Sequence, residues 1–125
     1  MEAKMIKKIV IHENAAIVSL SGELDQYAAA ALKSKIDIET EASHKHNLIM
    51  DLSDVTFMDS SGIGLIIGRY KLMKAIGGKI AVCGGNKGVK KVIELSGLTK
   101  IIPYYESPEE ALDKIESGRV GRSVK

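Results

Sequence analysis

Apolar residues along this chain fall into short β-branched runs that alternate with stretches of helical spacing. Residues 5–11 (MIKKIVI) and 15–20 (AAIVSL) are two such runs, joined at Glu13-Asn14, which is the pattern of a β-hairpin. After Asp25, a good N-cap residue, Ala28, Ala31, Leu32, Lys35 and Ile36 recur at helical intervals. NLIMDL (47–52) reads as a third strand, residues 61–75 as a second helix closed by Gly77-Gly78, and KIAVC (79–83) as a fourth strand. Val89, Val92 and Ile93 mark a third helix, for which Gly97 and Leu98 supply the left-handed cap and its hydrophobic neighbour. KII (100–102) predicts a short strand. Ser107-Pro108-Glu109-Glu110 then supplies the N-cap, the N1 proline and the capping-box glutamate of a last helix.

A hairpin followed by strands alternating with helices predicts an α/β domain with a mixed, mostly parallel sheet and about four helices. The domain is expected to occupy residues 1–117, with GRVGRSVK (118–125) as a flexible basic tail. In such folds the loops that follow the strands gather at the carboxyl edge of the sheet, where function is usually placed. Residues 53–59 are expected to form one of these loops.

Composition narrows the function classes. With 125 residues, 45% hydrophobic and 27% charged, the chain is long enough for one core. Net charge is only +2, and the aromatics are four Tyr and one Phe, so there is no basic footprint with interleaved stacking groups, and no nucleic acid is expected as a partner. No apolar run approaches the ~20 residues of a membrane span, and MEAKMIKKIV lacks the apolar core of a signal peptide. A cytoplasmic protein with no membrane partner is expected. The lone Cys83 excludes an internal disulfide and a cysteine-rich zinc site, and its apolar setting predicts a buried thiol.

FMDSSGIGLIIGRYK (57–71) carries the candidate chemistry. Asp59, Ser60 and Ser61 suit a helix N-cap, worth about 1 kcal/mol for each amide satisfied. Capping does not explain Gly64 and Gly68 inside the helix, each about 1 kcal/mol worse than alanine there. Ile63, Ile66, Ile67, Tyr70 and Met73 share the face expected to pack on the sheet. Ser61, Gly64, Leu65, Gly68, Leu72 and Ala75 line the other side, with Arg69 and Lys71 on the flanks. That second apolar side is covered either by a neighbouring helix of the same chain or by a partner.

Catalytic readings find little support. No G-x-S-x-G elbow is present, and His12, His44 and His46 read as solvated surface residues, so a Ser–His nucleophile is not expected. The glycines miss the dinucleotide spacing and no P-loop occurs. Asp51 at a strand end suggests a receiver-type phosphoacceptor, but the acidic pair that would hold Mg²⁺ is missing; Asp51 and Asp54 read as turn and cap residues. A serine phosphorylated by another protein remains. A phosphate adds about −1.5 to −2 charges and suits a helix N-terminus, whose amides and dipole favour an anion. The same charge at a packed interface costs several kcal/mol, so modification would abolish binding and leave the fold intact.

Taken together, GELD (22–25), NLIMDLSDVTFMDSSGIG (47–64), GRYK (68–71), Gly77-Gly78 and SGLTKII (96–102) resemble the bacterial anti-sigma factor antagonists, single STAS domains, and most closely the sporulation type. The resemblance implies a STAS-type fold and a non-enzymatic switch, with a STAS interaction domain that is not phosphorylated as the alternative. The unphosphorylated form would bind an anti-sigma factor that is also a serine kinase and so release the sigma factor. That kinase, which holds the ATP, would phosphorylate Ser60, and a PP2C-type serine phosphatase would reset it. The domain itself would need no cofactor or metal. Asp25 matches a family acidic position close to the phosphorylated loop, and Asp59, Ser61 and Gly62 match loop positions; with Ile63 and Gly64 at the helix start they are the expected partner-binding residues. The loop Gly84-Gly85-Asn86 and the basic tail depart from the family pattern.

Overall fold

A computed structural model describes residues 6–13 and 15–115. Met5, Asn14, the expected domain limit at 117 and the tail 118–125 lie outside the described residues. The elements run β1 (Ile6–Ile11), β2 (Ala16–Leu24), α1 (Gln26–Ser43), β3 (Asn47–Met58), α2 (Ser60–Ala75), β4 (Lys79–Cys83), α3 (Lys87–Ser96), β5 (Tyr104–Tyr105) and α4 (108–115). The five strands lie side by side in chain order. β1 and β2 form the antiparallel hairpin, and each strand after a helix runs parallel to its predecessor, as the alternation predicts.

Apolar residues cover both sheet faces. On one, Val18, Leu20, Leu48, Met50 and Leu52 meet Leu32 and Ile36 of α1, Ile66 of α2 and Ile93 of α3. On the other, Ile49, Ala81 and Cys83 meet Ala111 and Ile115 of α4. A strand buried on both faces needs a continuous apolar run, which is why NLIMDL lacks alternation. Lys35 departs from the expected helix face: Ala28, Leu32, Ile36 and Thr40 are buried in α1, and Lys35 is exposed.

Two expectations are corrected. Residues 53–58 are strand, not loop, so β3 continues to Met58 and only Asp59 connects it to α2. Against β2 the register of β3 advances unequally, from Ser19–Asp51 to Ser21–Asp54 and from Gly22–Val55 to Glu23–Phe57. β3 thus carries one extra residue at each of two β-bulges, and bulged, half-solvated sequence does not show strand periodicity. The segment 100–102 is not a strand either. Gly97 adopts the left-handed conformation (φ 79°) that ends α3, the chain tightens into a 3₁₀ turn over Leu98–Lys100, and pairing with β4 is made by Tyr104–Tyr105. At the start of α4, Ser107 Oγ accepts from the Glu110 amide at 3.1 Å, the expected cap.

Candidate functional site

β2 and β3 end together. Leu24 pairs with Met58, so Asp25 and Asp59 leave the sheet side by side. Each caps the helix that follows: Asp25 Oδ1 accepts from the Ala28 amide at 3.0 Å, and Asp59 Oδ1 accepts from the Ser61 amide at 2.9 Å. Two helix N-termini therefore open at one sheet edge, with two carboxylates between them. α2 starts one residue earlier than expected. Ser60, its first residue, is exposed, and Ser61 is half-buried.

The first-turn amides are less open than the sequence suggests. Ser61 N–H goes to the Asp59 side chain, and the Gly62 and Ile63 N–H groups go to the Asp59 carbonyl at 3.0 and 3.4 Å. A phosphate on Ser60 would meet the helix dipole but would find these three amides already engaged. Beside it stand Asp59 and Asp25.

Gly62 and Ile63, two of the expected contact residues, lie beneath the surface of the free domain rather than at it. Ile63 is 8% exposed and belongs to the core. A Cβ on Gly62 would run into the Met58 side chain and come within 3.2 Å of Leu24 Cδ2. Glycine is what lets the first turn of α2 sit on the strand ends. Gly64 is different. It is exposed, and a Cβ there or on Gly68 would meet nothing within 4 Å. Both border a groove of about 550 Å³ between α1 and α2, lined also by Ala29, Ala30, Lys33 and Leu72. The neighbouring helix runs beside these glycines and does not cover them.

Arg69 is not a flank residue. It is 3% exposed, and its Nε lies 2.8 Å from Asp37 Oδ1, tying α2 to α1 beneath the groove. Asp51 is not a turn residue either. At 9% exposed within β3, its carboxylate accepts from Ser19 Oγ (3.1 Å), Ser53 Oγ (2.6 Å) and the Ser53 amide (3.1 Å). Cys83 Sγ donates to the same carboxylate at 3.7 Å. Burial pushes the Cys83 thiol well above the usual thiol range, and the Asp51 charge adds to this. Asp54, also within the strand, pairs with Lys7 Nζ at 2.6 Å, and that hydrogen bond raises the lysine's pKa. Both partners are about half exposed, so this pair contributes little to stability.

His44 and His46 follow α1 and His12 follows β1, so all three stand at the sheet edge where β3 begins, the full length of that strand from Ser60. His44 and His46 are exposed, whereas His12 is half-buried rather than solvated. A Ser–His pair is not assembled. Among the described residues, no three His, Cys, Asp or Glu side chains come together as a metal-binding group, and no helix is long and apolar enough to cross a membrane. Sequence reasoning passed over two exposed aromatics at this edge, Phe57 (47%) and Tyr27 (84%). The strand ending that exposes Phe57 is set by register, which has no local signal.

A model of the STAS domain matches residues 7–111, and the chain belongs to that family. Among its relatives, an anti-sigma F factor antagonist of Paenibacillus polymyxa is 39% identical over 105 residues, covering 84% of this chain and 90% of that protein. Two solved structures of SpoIIAA, described as an anti-sigma factor antagonist and as a Bacillus cell fate determinant, are each 28% identical to this chain. The unphosphorylated form has a TM-score of 0.74, covering 88% of this chain and 96% of that one. The phosphorylated form from Bacillus has a TM-score of 0.65, covering 86% and 97%.

Proposed function

We propose that this chain is an anti-sigma factor antagonist of the sporulation type, whose binding is switched by phosphorylation of Ser60. The exposed hydroxyl of Ser60 at the first position of α2 carries the reading. It stands at the edge where both helix N-termini open, and no histidine is near to make it a nucleophile. The names of the relatives and the existence of a phosphorylated SpoIIAA support it.

The unphosphorylated edge, presenting Asp25, Asp59, Ser60, Ser61 and Gly64, docks on an anti-sigma factor that is also a serine kinase. Ser60 Oγ attacks the γ-phosphorus of ATP bound by that partner. The new O–P bond forms as the bond to the ADP oxygen breaks, and the hydroxyl proton passes to a base on the kinase. The added charge beside two carboxylates is tolerated in water and disfavoured in a desolvated contact, where each ~1.4 kcal/mol lowers affinity tenfold. A PP2C-type phosphatase returns the serine by hydrolysis. ATP and sigma factors place this cycle in the cytoplasm.

Incubation with the anti-sigma factor/serine kinase of the same organism and ATP is expected to add one phosphoryl group, measured by mass. Persistence of that modification in Ser60→Ala would assign it elsewhere. Ser60→Asp is expected to keep its circular dichroism spectrum and lose binding; an unfolded Ser60→Asp variant sinks the switch.

A further inference from the structure

We infer that Asp51 and Asn86 are positioning residues that pin the bulged end of β3 and so aim Ser60 at the kinase, an inference that rests on Ser60 being the acceptor. β3 pairs with β4 only as far as Asp51–Cys83. From Leu52 to Met58 it keeps β2 alone, and its two extra residues fall within that stretch. Such a strand has backbone groups on its open side that pairing cannot satisfy, and a bulge adds more. Left loose, it would deliver the serine imprecisely.

Two side chains take up these groups, one at each bulge. At the first, Asp51 accepts both the amide and the hydroxyl of Ser53, and it is itself held by Ser19 of β2 and Cys83 of β4. At the second, Asn86 Nδ2 donates to the Thr56 carbonyl at 3.3 Å, while its Oδ1 accepts from the Val89 amide at 2.8 Å to cap α3. The loop carrying Asn86 is itself anchored. Tyr104 Oη donates to the Gly84 carbonyl at 2.9 Å, and the Gly84 amide donates to the Tyr105 carbonyl at 3.1 Å. Gly84 (φ 76°) lies so close to Ser53 that a Cβ there would overlap it. The end of β4, the start of α3 and β5 are thereby connected to the strand that carries the acceptor. Neither residue needs to touch the kinase.

The test compares wild type with Asp51→Ala, Asp51→Asn and Asn86→Asp, using the anti-sigma factor/serine kinase purified from the same organism with ATP. kcat and KM for Ser60 phosphorylation are measured well below each melting midpoint, with amide hydrogen exchange across 53–60. Asp51→Ala is expected to lower kcat about ten- to hundredfold, the usual consequence of a misplaced reacting group, and to speed exchange at 53–59. Asp51→Asn, whose Oδ1 still accepts from Ser53 and whose amide still meets Ser19, is expected to restore both. Asn86→Asp keeps the α3 cap but loses the donor to Thr56, and a smaller loss in the same direction is expected. A shift in melting midpoint alone, with kcat and exchange unchanged, overturns the inference. If Asp51→Ala does not fold, Asn86→Asp decides it. A wild type left unphosphorylated at Ser60 defeats the acceptor assignment instead, whereas a phosphorylated wild type with indistinguishable variants defeats only the positioning role.

Discussion

Residues 47–51 and 52–58 belong to one continuous strand, yet the first half lies between β2 and β4 and the second has β2 alone. Leu48, Ile49 and Met50 are fully buried, whereas Ser53, Asp54, Thr56 and Phe57 face solvent. The first half is held by packing on two faces and pairing on two sides. The second packs only one face, through Leu52, Val55 and Met58, has one neighbouring strand and a few polar contacts, and ends at the proposed acceptor. A single strand thus combines a rigid foundation with an accessible end, and the change occurs at Asp51.

The sharpest way to break that contrast is by truncation. Leu48→Ala or Ile49→Ala is expected to cost about 2–5 kcal/mol in urea unfolding, and Thr56→Ala less than about 0.5 kcal/mol. Equal losses would mean that the two halves are held alike. Next in size is the junction with α2. Gly62→Ala drives a Cβ into Met58 and is expected to destabilise by about 1–3 kcal/mol, even though alanine is the better helix former. Gly64→Ala and Gly68→Ala point into open space. Each is expected to stabilise the free protein by up to about 1 kcal/mol, and weaker binding of the anti-sigma factor by those stabilised variants would show that the groove is part of the contact.

An effect of pH concerns the foundation. The folded thiol of Cys83 has its pKa raised by burial, so both states are protonated below the unfolded value of about 8.5. Above that value only the unfolded chain loses its proton, and stability falls as pH rises. Between pH 7 and pH 9 the loss is expected to be roughly 1 kcal/mol. Cys83→Ala removes the dependence, and a loss that persists in that variant belongs to another group.

The legible parts of the fold were those where one physical rule dominates. Leu48, Ile49 and Met50 of β3 and residues 80–83 of β4 are apolar without alternation because both faces are covered, and Asp25, Gly97 and Ser107 sit at helix ends because caps need those groups. SDVTFM reads as loop because half of it faces water and its bulges break the alternation. Arg69 reads as a flank residue because arginine is usually exposed, and only the three-dimensional approach of Asp37 makes its burial acceptable. Asp51 reads as a turn residue for the same reason, since two of its partners, Ser19 of β2 and Cys83 of β4, are distant in sequence. At the site, Ser60, Asp25 and Asp59 were identifiable from local pattern. The engagement of the first-turn amides and the burial of Gly62 and Ile63 depend on how α2 sits on the strand ends, which local pattern does not encode.

The order β1-β2-β3-β4-β5 also bears on how the molecule assembles. No strand has to be inserted between two already joined, so the sheet can lengthen by one edge at a time as the chain leaves the ribosome. Every pairing links successive strands, which keeps loop closures short and favours quick folding. The hairpin at the amino end is available from the outset as the template on which each later strand is laid.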